Sequence, residues 1–162
     1  MPLPANIIIR RAEAGDAAAI VAILHDTYAN TWRPQLTKAA AQAWRDEDRP
    51  AAYVAARGSQ FWVAELRGEV VGFVDWEGDF VNALHVSSAK ARMGVGSGLM
   101  DKAEAGIAEA GFAEARLETD TFNTGSRAFY ARRGYREADR YPDEEWKSGL
   151  TTLLLVKSRR PL

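Results

Sequence analysis

The sequence predicts one mixed α/β (α+β) domain over residues 1–162, in which about four helices flank a central twisted sheet of about six or seven strands. Three apolar stretches between residues 61 and 86 alternate with tight turns, which is typical of an antiparallel meander. A glycine-rich turn, a helical stretch and another strand follow, and a helical crossover makes the two strands that it joins parallel. We therefore expect a mixed sheet that is antiparallel except for one parallel pair.

The first third of the chain predicts a strand and two helices. Ile7, Ile8 and Ile9 form a β-branched run. Asp16 is placed to cap a helix over about residues 16–29, in which apolar residues recur at helical spacing. Residues 30–34 are expected to break this helix. A second helix is expected to begin at the cap residue Thr37 and to close at Pro50.

The remaining elements are predicted from hydrophobic periodicity and from the glycines that end helical stretches. Glycine follows each of the two later helical stretches, at Gly111 and Gly134, as a stop signal. We expect meander strands over residues 61–66, 70–76 and 80–86, a helix that ends near 110, a strand over 115–121, a short helix over 126–133, and closing strands over 135–140 and 151–156.

Composition excludes several classes of protein. The formal net charge of −1 provides no basic field for nucleic acid or an anionic membrane, and we expect neither as a partner. The absence of cysteine excludes disulfides and thiolate sites. The two histidines lie far apart, so no metal site is expected. The opening segment has its arginines after a short apolar run and no stretch is long enough to span a bilayer, so we expect a cytoplasmic protein.

The stretch from Leu84 to Leu99 has the pattern of a phosphate site, because a strand, a glycine-rich turn and a helix follow one another directly. The first N–H groups of a helix have no backbone partner, and the helix dipole favours an anion there. A Rossmann site would place a third glycine where Leu99 stands, and it would follow the first strand of a βαβ series. A Walker loop is excluded because no Gly-Lys-Ser/Thr sequence follows.

A second motif narrows the interpretation. The segment from Asn123 to Tyr135 carries an asparagine, a Phe-Tyr pair on a short helix, and a glycine followed by an aromatic residue. With the Gly94-x-Gly96 turn it resembles the GNAT family of N-acetyltransferases. The family's cofactor motif, Gln/Arg-x-x-Gly-x-Gly/Ala, is matched except that Ala91 stands at the basic position and the arginine follows at Arg92.

The resemblance implies that acetyl-CoA lies in a gap where two parallel strands splay apart, here residues 80–86 and 115–121. Main-chain groups of Leu84, His85 and Val86 are then expected to align the pantetheine arm and polarise the thioester carbonyl. The turn is expected to hold the pyrophosphate, and Asn123 the pantetheine arm or an ordered water. With Tyr130, the expected cofactor-binding set also includes Arg92, Met93, Gly94, Val95, Gly96 and Ser97.

The resemblance also implies amine chemistry. Tyr130 matches the family tyrosine that often protonates the departing thiolate. The family's frequent glutamate on the cofactor strand corresponds to Ala83, so the base is left open between His85 and a carboxylate on the partner strand, Glu118 or Asp120.

We expect an acetyl-CoA-dependent N-acetyltransferase that acts by direct attack in a ternary complex. The alternatives are a transferase of another acyl group and a non-catalytic acyl-CoA-binding or sensing domain. The acceptor is a small-molecule amine, a protein N-terminus or a lysine. A homodimer is compatible with the sequence.

Overall fold

A computed structural model describes residues 3–144 and 148–158 of the chain. The ends of the predicted domain, residues 1–2 and 159–162, lie outside this part, as do residues 145–147. Seven strands in the described part form one sheet in the order β1-β2-β3-β4-β5-β7-β6. Every neighbouring pair is antiparallel except β4 and β5, so the predicted fold class is confirmed. The strands are β1 (Ile7–Arg11), β2 (Trp62–Leu66), β3 (Glu69–Glu77), β4 (Phe80–Val86), β5 (Glu114–Asp120), β6 (Arg136–Pro142) and β7 (Thr151–Ser158).

Five α-helices accompany these strands in the described residues, whereas the sequence predicts about four. They are α1 (Ala17–Thr27), α2 (Lys38–Glu47), α3 (Arg49–Arg57), α4 (Val95–Glu109) and α5 (Thr124–Arg132). None of the helices within these residues is long and apolar enough to cross a membrane.

Two predicted boundaries in the first third are wrong. Residues 30–34 do not break the first helix, because α1 continues into a π-helical turn, Tyr28–Trp32, and then a 3₁₀ turn. Pro50 does not close the second helix. That helix ends at Glu47, and the next residue, Asp48, has a left-handed conformation (φ 43°). Pro50 lies in the first turn of α3, where its missing N–H leaves no helical hydrogen bond unmade.

Asp16 caps a turn that the sequence did not predict. It lies in a 3₁₀ turn before α1, and its carboxylate accepts a hydrogen bond from the Glu13 N–H at 2.7 Å rather than from a helical N–H of α1. The same carboxylate pairs with both terminal nitrogens of Arg10, at 2.8 and 3.0 Å. The Arg10 guanidinium lowers the pKa of Asp16. This ion pair therefore fastens the start of α1 to β1.

Apolar side chains cover both faces of the sheet. On one face, α4 contributes Leu99, Met100 and Ala103 to a cluster that also holds residues of the strands and Tyr130. On the other face, Ile20 and Ile23 of α1 meet Phe73 of β3. Burying a large apolar side chain contributes roughly 1.5–3 kcal/mol, so these two layers hold the helices on the sheet.

One close approach fixes how α4 crosses the sheet. A Cβ at Gly106 would overlap the indole of Trp76, at 2.9 Å from its Cε2 atom. Only glycine leaves room for the ring there. Gly125 of α5 is the opposite case, since nothing lies within 4 Å of the place a Cβ would take.

Candidate active site

The sheet opens between its two parallel strands. Strands β4 and β5 pair only at Phe80 with Arg116 and at Val81 with Leu117. Beyond that point both strands continue without pairing to each other, and β4 keeps its ladder to β3 through Val86. Main-chain groups of Leu84 to Val86 on the β5 side therefore have no strand partner across the gap. Residues predicted to bind a pantetheine arm thus lie where an extended ligand would find free backbone groups.

A β-bulge precedes this gap. Asp75 of β3 is opposite Ala83 and Trp76 is opposite Val81, so Asn82 is an extra residue in β4. A bulge of this kind increases local twist and bends the strand that contains it. It therefore contributes to turning β4 away from β5 just after their two paired positions.

The turn after β4 leads into α4 as predicted. Arg92 has φ 65° and Gly94 has φ 83°, both left-handed, and Gly94 is the N-cap of α4. The Gly98 N–H donates to the Gly94 carbonyl at 3.0 Å, so the N–H groups of Val95, Gly96 and Ser97 lie in the first turn, before the helical ladder begins. The side chain of Val95 is buried in the core, Arg92 and Met93 are exposed, and Ser97 is half-buried.

Helix α1 holds this turn from the other face of the sheet. The Asp26 carboxylate accepts hydrogen bonds from the Ser88 N–H at 2.8 Å and from the Ser88 hydroxyl at 2.9 Å. The Ser87 N–H donates to the Val71 carbonyl at 2.8 Å. The turn is thus tied both to α1 and to the sheet before it reaches the glycines.

Helix α5 completes the far side of the gap. A Cβ at Gly96 would lie 3.5 Å from Phe129 and 3.8 Å from Val86, so the start of α4, α5 and the end of β4 meet at one point. The Asn123 side chain caps α5 by accepting from the Ser126 N–H at 3.2 Å. The two predicted motifs, which are distant along the chain, therefore lie side by side at the gap.

Tyr130 is a buried phenol. Its side chain lies 8% exposed between the rings of Phe129 and Tyr135, with ring centroids 5.0 and 5.5 Å away. Burial raises the pKa of the Tyr130 hydroxyl. Within residues 3–144 and 148–158, no group hydrogen-bonds to that hydroxyl. A phenol in this setting stays protonated near neutral pH and has its proton available for a ligand.

Comparisons with known proteins place the chain in a family. A family model described as the acetyltransferase (GNAT) family matches residues 18–135. The chain belongs to the GNAT family. The resemblance found in the sequence is thereby confirmed, and it extends over most of the chain.

Individual relatives agree with this assignment. The chain is 38% identical over 93 residues to a protein named blasticidin-S acetyltransferase from Streptomyces morookaense; the match covers 57% of this chain and 66%, just under two thirds, of that relative. A GCN5-related N-acetyltransferase from Rhodopseudomonas palustris superposes with a TM-score of 0.77 at 23% identity, covering 98% of each chain. The protein yncA from Salmonella typhimurium, solved with acetyl-CoA, superposes with a TM-score of 0.72 at 19% identity, covering 98% of this chain and 96% of that one.

His85 faces the helical layer of α1 in this GNAT fold. Its Nδ1 atom lies 2.8 Å from the Thr27 hydroxyl, and its ring stacks on Phe73 with centroids 5.4 Å apart. Burial lowers the pKa of the imidazole to about 4. His85 is therefore neutral near pH 7, and one of its two nitrogens is already engaged by a hydroxyl.

The two carboxylates of β5 have different surroundings. Glu118 is exposed and accepts a hydrogen bond from the Tyr141 hydroxyl. Asp120 is half-buried and accepts from the indole N–H of Trp32 at 2.7 Å. The same indole lies 5.8 Å from the His85 ring, centroid to centroid. Trp32 therefore joins the two strands across the gap, a role that its position in a π-helical turn provides and that the sequence did not reveal.

A carboxylate does lie beside Ala83, where many GNAT proteins carry glutamate, but it is occupied. Asp75, opposite Ala83 and fully buried, pairs with Arg57 at 2.8 and 3.1 Å. It also accepts from the Tyr53 hydroxyl at 2.6 Å and the Asn82 amide at 3.2 Å. This fully buried carboxylate anchors α3 to the sheet, and the four hydrogen bonds that it accepts all come from within the protein.

The basic residues near the second motif serve mainly structural contacts. Arg133 pairs with Asp101 at 2.7 Å and with Glu104 at 3.2 Å. Arg127 donates to the Thr121 carbonyl at 3.0 Å and lines a groove of about 350 Å³ between α5 and the last two strands. This groove lies on the face of α5 opposite Phe129. Arg92 is the exposed basic side chain in the turn itself.

The sequence predicts no metal site. No group of three or more histidine, aspartate or glutamate side chains that could hold a metal ion occurs in the part of the chain that the structure describes.

Proposed function

We propose that this protein transfers an acetyl group from acetyl-CoA to a primary amine by direct attack in a ternary complex. The observation that carries the proposal is the gap between β4 and β5, onto which the start of α4 opens and beside which Tyr130 lies. The protein yncA, which shares the fold, was solved with acetyl-CoA. A GNAT sequence with this geometry supports acetyl-CoA as the cosubstrate.

In this proposal the backbone binds the cofactor. The N–H groups from Gly94 to Ser97 receive the pyrophosphate, because they lie at the positive end of the α4 dipole. Main-chain groups from Leu84 to Val86 align the pantetheine arm and stabilise the charge that develops on the thioester oxygen. Asn123, Arg92 and Met93 line the remaining contact surface.

Tyr130 is assigned the acid role. When the amine nitrogen attacks, the new C–N bond forms and the C–S bond breaks, which leaves a thiolate on CoA. A buried phenol can protonate that sulfur and recover a proton from the reaction path. The sequence left the base open among His85, Glu118 and Asp120. The low pKa of His85 and the exposed position of Glu118 favour the third candidate, Asp120, which is considered in the next subsection.

The acceptor proposed first is blasticidin S, because the relative named for that activity is 38% identical over 93 residues. Other small-molecule amines, protein N-termini and lysines follow in the same screen. We further propose that residues 1–162 act as one domain, since the described strands form one sheet.

The test has two parts. Acetyl-CoA should raise the melting temperature of the purified chain, because a ligand that binds only the folded state stabilises it. A thiol-reactive dye should then detect CoA release when blasticidin S or another amine is added. If acetyl-CoA does not raise the melting temperature, the assignment of acetyl-CoA as the cosubstrate fails. A shift with no CoA release across the amine panel would instead favour the acyl-CoA-binding alternative, for which Ala83 is the supporting observation.

Tyr130→Phe tests the acid. We expect kcat to fall by about 10- to 100-fold, within the usual range for a general acid, while KM for acetyl-CoA changes little. Tyr135→Phe is the matched control, because that hydroxyl is bonded to Glu104 at 2.9 Å and lies in the same aromatic cluster. Equal rates for Tyr130→Phe and the wild type would remove Tyr130 from the mechanism.

A further inference from the structure

We propose that Asp120 accepts the proton of the acceptor ammonium group and that Trp32 positions and covers this carboxylate in the free protein. The proposal rests on the transferase function proposed above and adds the group that activates the amine. It is carried by where Asp120 lies, by what surrounds it and by what its alternatives already bind.

Asp120 is placed where it can receive a proton from the acceptor amine. It is the last residue of β5, three residues beyond the last position that pairs with β4. His85 lies on the facing part of β4, and the Trp32 indole contacts both residues. Asp120 and His85 are therefore on the same face of the sheet, on either side of the gap, and opposite the face that α4 covers. An amine approaching from this face meets Asp120 as it reaches the gap.

The partner of Asp120 is neutral. Several half-buried or buried carboxylates in the described chain have cationic partners, such as Arg10 beside Asp16 and Arg57 beside Asp75. Asp120 instead accepts a single N–H from Trp32 at 2.7 Å. An ammonium group that replaced this indole would form a charge-assisted pair, which is stronger than the neutral contact.

Charges around Asp120 also favour proton uptake. Burial raises its pKa, while the Trp32 N–H opposes that rise. The carboxylates of Asp143 and Glu118 raise the pKa further by like-charge repulsion, and His85 across the gap is neutral near pH 7. A carboxylate in such surroundings is a better proton acceptor than one in open water.

The proton balance is complete without any further reactant. The ammonium gives one proton to Asp120, and the free amine attacks the thioester carbonyl. The C–N bond forms, the C–S bond breaks, and the second nitrogen proton leaves as the amide forms. Through Tyr130, one proton ends on the CoA sulfur. The proton on Asp120 returns to solvent after the products leave.

Asp120→Asn is the first variant, because the amide keeps the side-chain size and an acceptor for the Trp32 N–H. With the fastest amine from the CoA-release screen, we expect kcat/KM at pH 7 to fall by about 100-fold or more, within the range of general base catalysis. The loss should shrink toward pH 9.5, where a larger share of an amine with pKa near 10 is already deprotonated. Glu114→Gln, an exposed change on the same strand, should retain the wild-type profile.

Trp32→Phe tests whether Trp32 acts on Asp120 through its N–H group or only packs beside it. It retains an aromatic ring but removes the N–H that lowers the pKa of Asp120, so the acidic limb of the kcat/KM profile should move to higher pH. In the wild type, the Trp32 indole N–H resonance should titrate with a midpoint above about 3.9, the ordinary aspartate value. It should not titrate in Asp120→Asn.

Three results would overturn the assignment: Asp120→Asn as fast as the wild type at pH 7, an equal loss at pH 7 and pH 9.5, or an indole resonance that titrates at or below the ordinary value. A failure of the proposed function looks different. In that case the wild type itself shows no melting shift with acetyl-CoA or releases no CoA, whereas the indole titration still reports on Asp120.

Discussion

Replacing Arg57 with leucine should leave a charge stranded inside the protein. The Asp75 carboxylate is 0% exposed, while the Arg57 side chain is 24% exposed. Arg57→Leu removes two of the four hydrogen bonds that the carboxylate accepts and all of its countercharge. Tyr53 and Asn82 remain, but neither is charged. The buried carboxylate then has no countercharge and must draw water inward.

The cost follows from this geometry. Breaking a buried ion pair by removing one partner costs roughly 3–5 kcal/mol. Since Arg57 is partly exposed, water reaches the vacated site and lowers the loss, so we expect about 3 kcal/mol. For a chain of this size, 1 kcal/mol corresponds to about 2–4 °C in melting temperature. The variant should therefore melt about 9 °C below the wild type.

Urea unfolding at pH 7, followed by circular dichroism, measures the loss directly. Arg45→Leu on the exposed side of α2 is the control and should change stability by no more than about 0.5 kcal/mol. Adding Asp75→Asn to Arg57→Leu removes the stranded charge and should restore at least about 1 kcal/mol. The reasoning is refuted if Arg57→Leu costs under 1 kcal/mol, or if the double variant is less stable than the single one.

Three further predictions concern the scaffold around the gap. Gly106→Ala should destabilise α4 by about 1–3 kcal/mol in thermal melts because of its overlap with a neighbouring indole, whereas Gly125→Ala should stabilise α5 by about 0.5–1 kcal/mol; a gain at both sites would contradict the packing. Asp16→Asn should cost about 1–2 kcal/mol at pH 7. Because the folded pKa of Asp16 is lowered, this contribution is present above the unfolded pKa and is lost as pH falls through the folded pKa; a difference from wild type that persists in urea titrations well below pH 4 would contradict it. Asp26→Ala removes both contacts to Ser88 and should weaken acetyl-CoA binding about 5-fold by calorimetry, from about 1 kcal/mol of lost ordering; unchanged affinity would show that the turn holds its shape without α1.

The sheet was largely predictable because its signals are local. Alternating apolar runs and glycine-containing turns gave the meander, and the crossover rule gave the parallel pair without any long-range information. The helices after β1 were less predictable. Pro50 terminates one helix pattern and begins another equally well, and only the left-handed Asp48 between them decides which occurs.

The cofactor side of the site was more predictable than the acceptor side. Gly94 and Gly96 are recognisable in the sequence, because a left-handed backbone conformation requires glycine at the first and close packing against Phe129 favours it at the second. The pairing of Trp32 with Asp120 has no such signal, since 88 positions separate the two residues and neither residue type by itself indicates a partner. The pKa of His85 also depends on burial by residues from other elements, which no local pattern encodes.

The gap between β4 and β5 also has a mechanical consequence. In the described residues, strand pairing at two register positions is all that joins the four-stranded part of the sheet, β1 to β4, to the three-stranded part, β5, β7 and β6. The sheet is thus close to being two smaller sheets that share one seam. A ligand that binds along the seam would supply hydrogen-bond partners that the strands do not give each other. It would therefore link the two parts of the sheet. Amide hydrogens on both sides of the seam should then exchange as one unit when the ligand is bound and as two when it is absent.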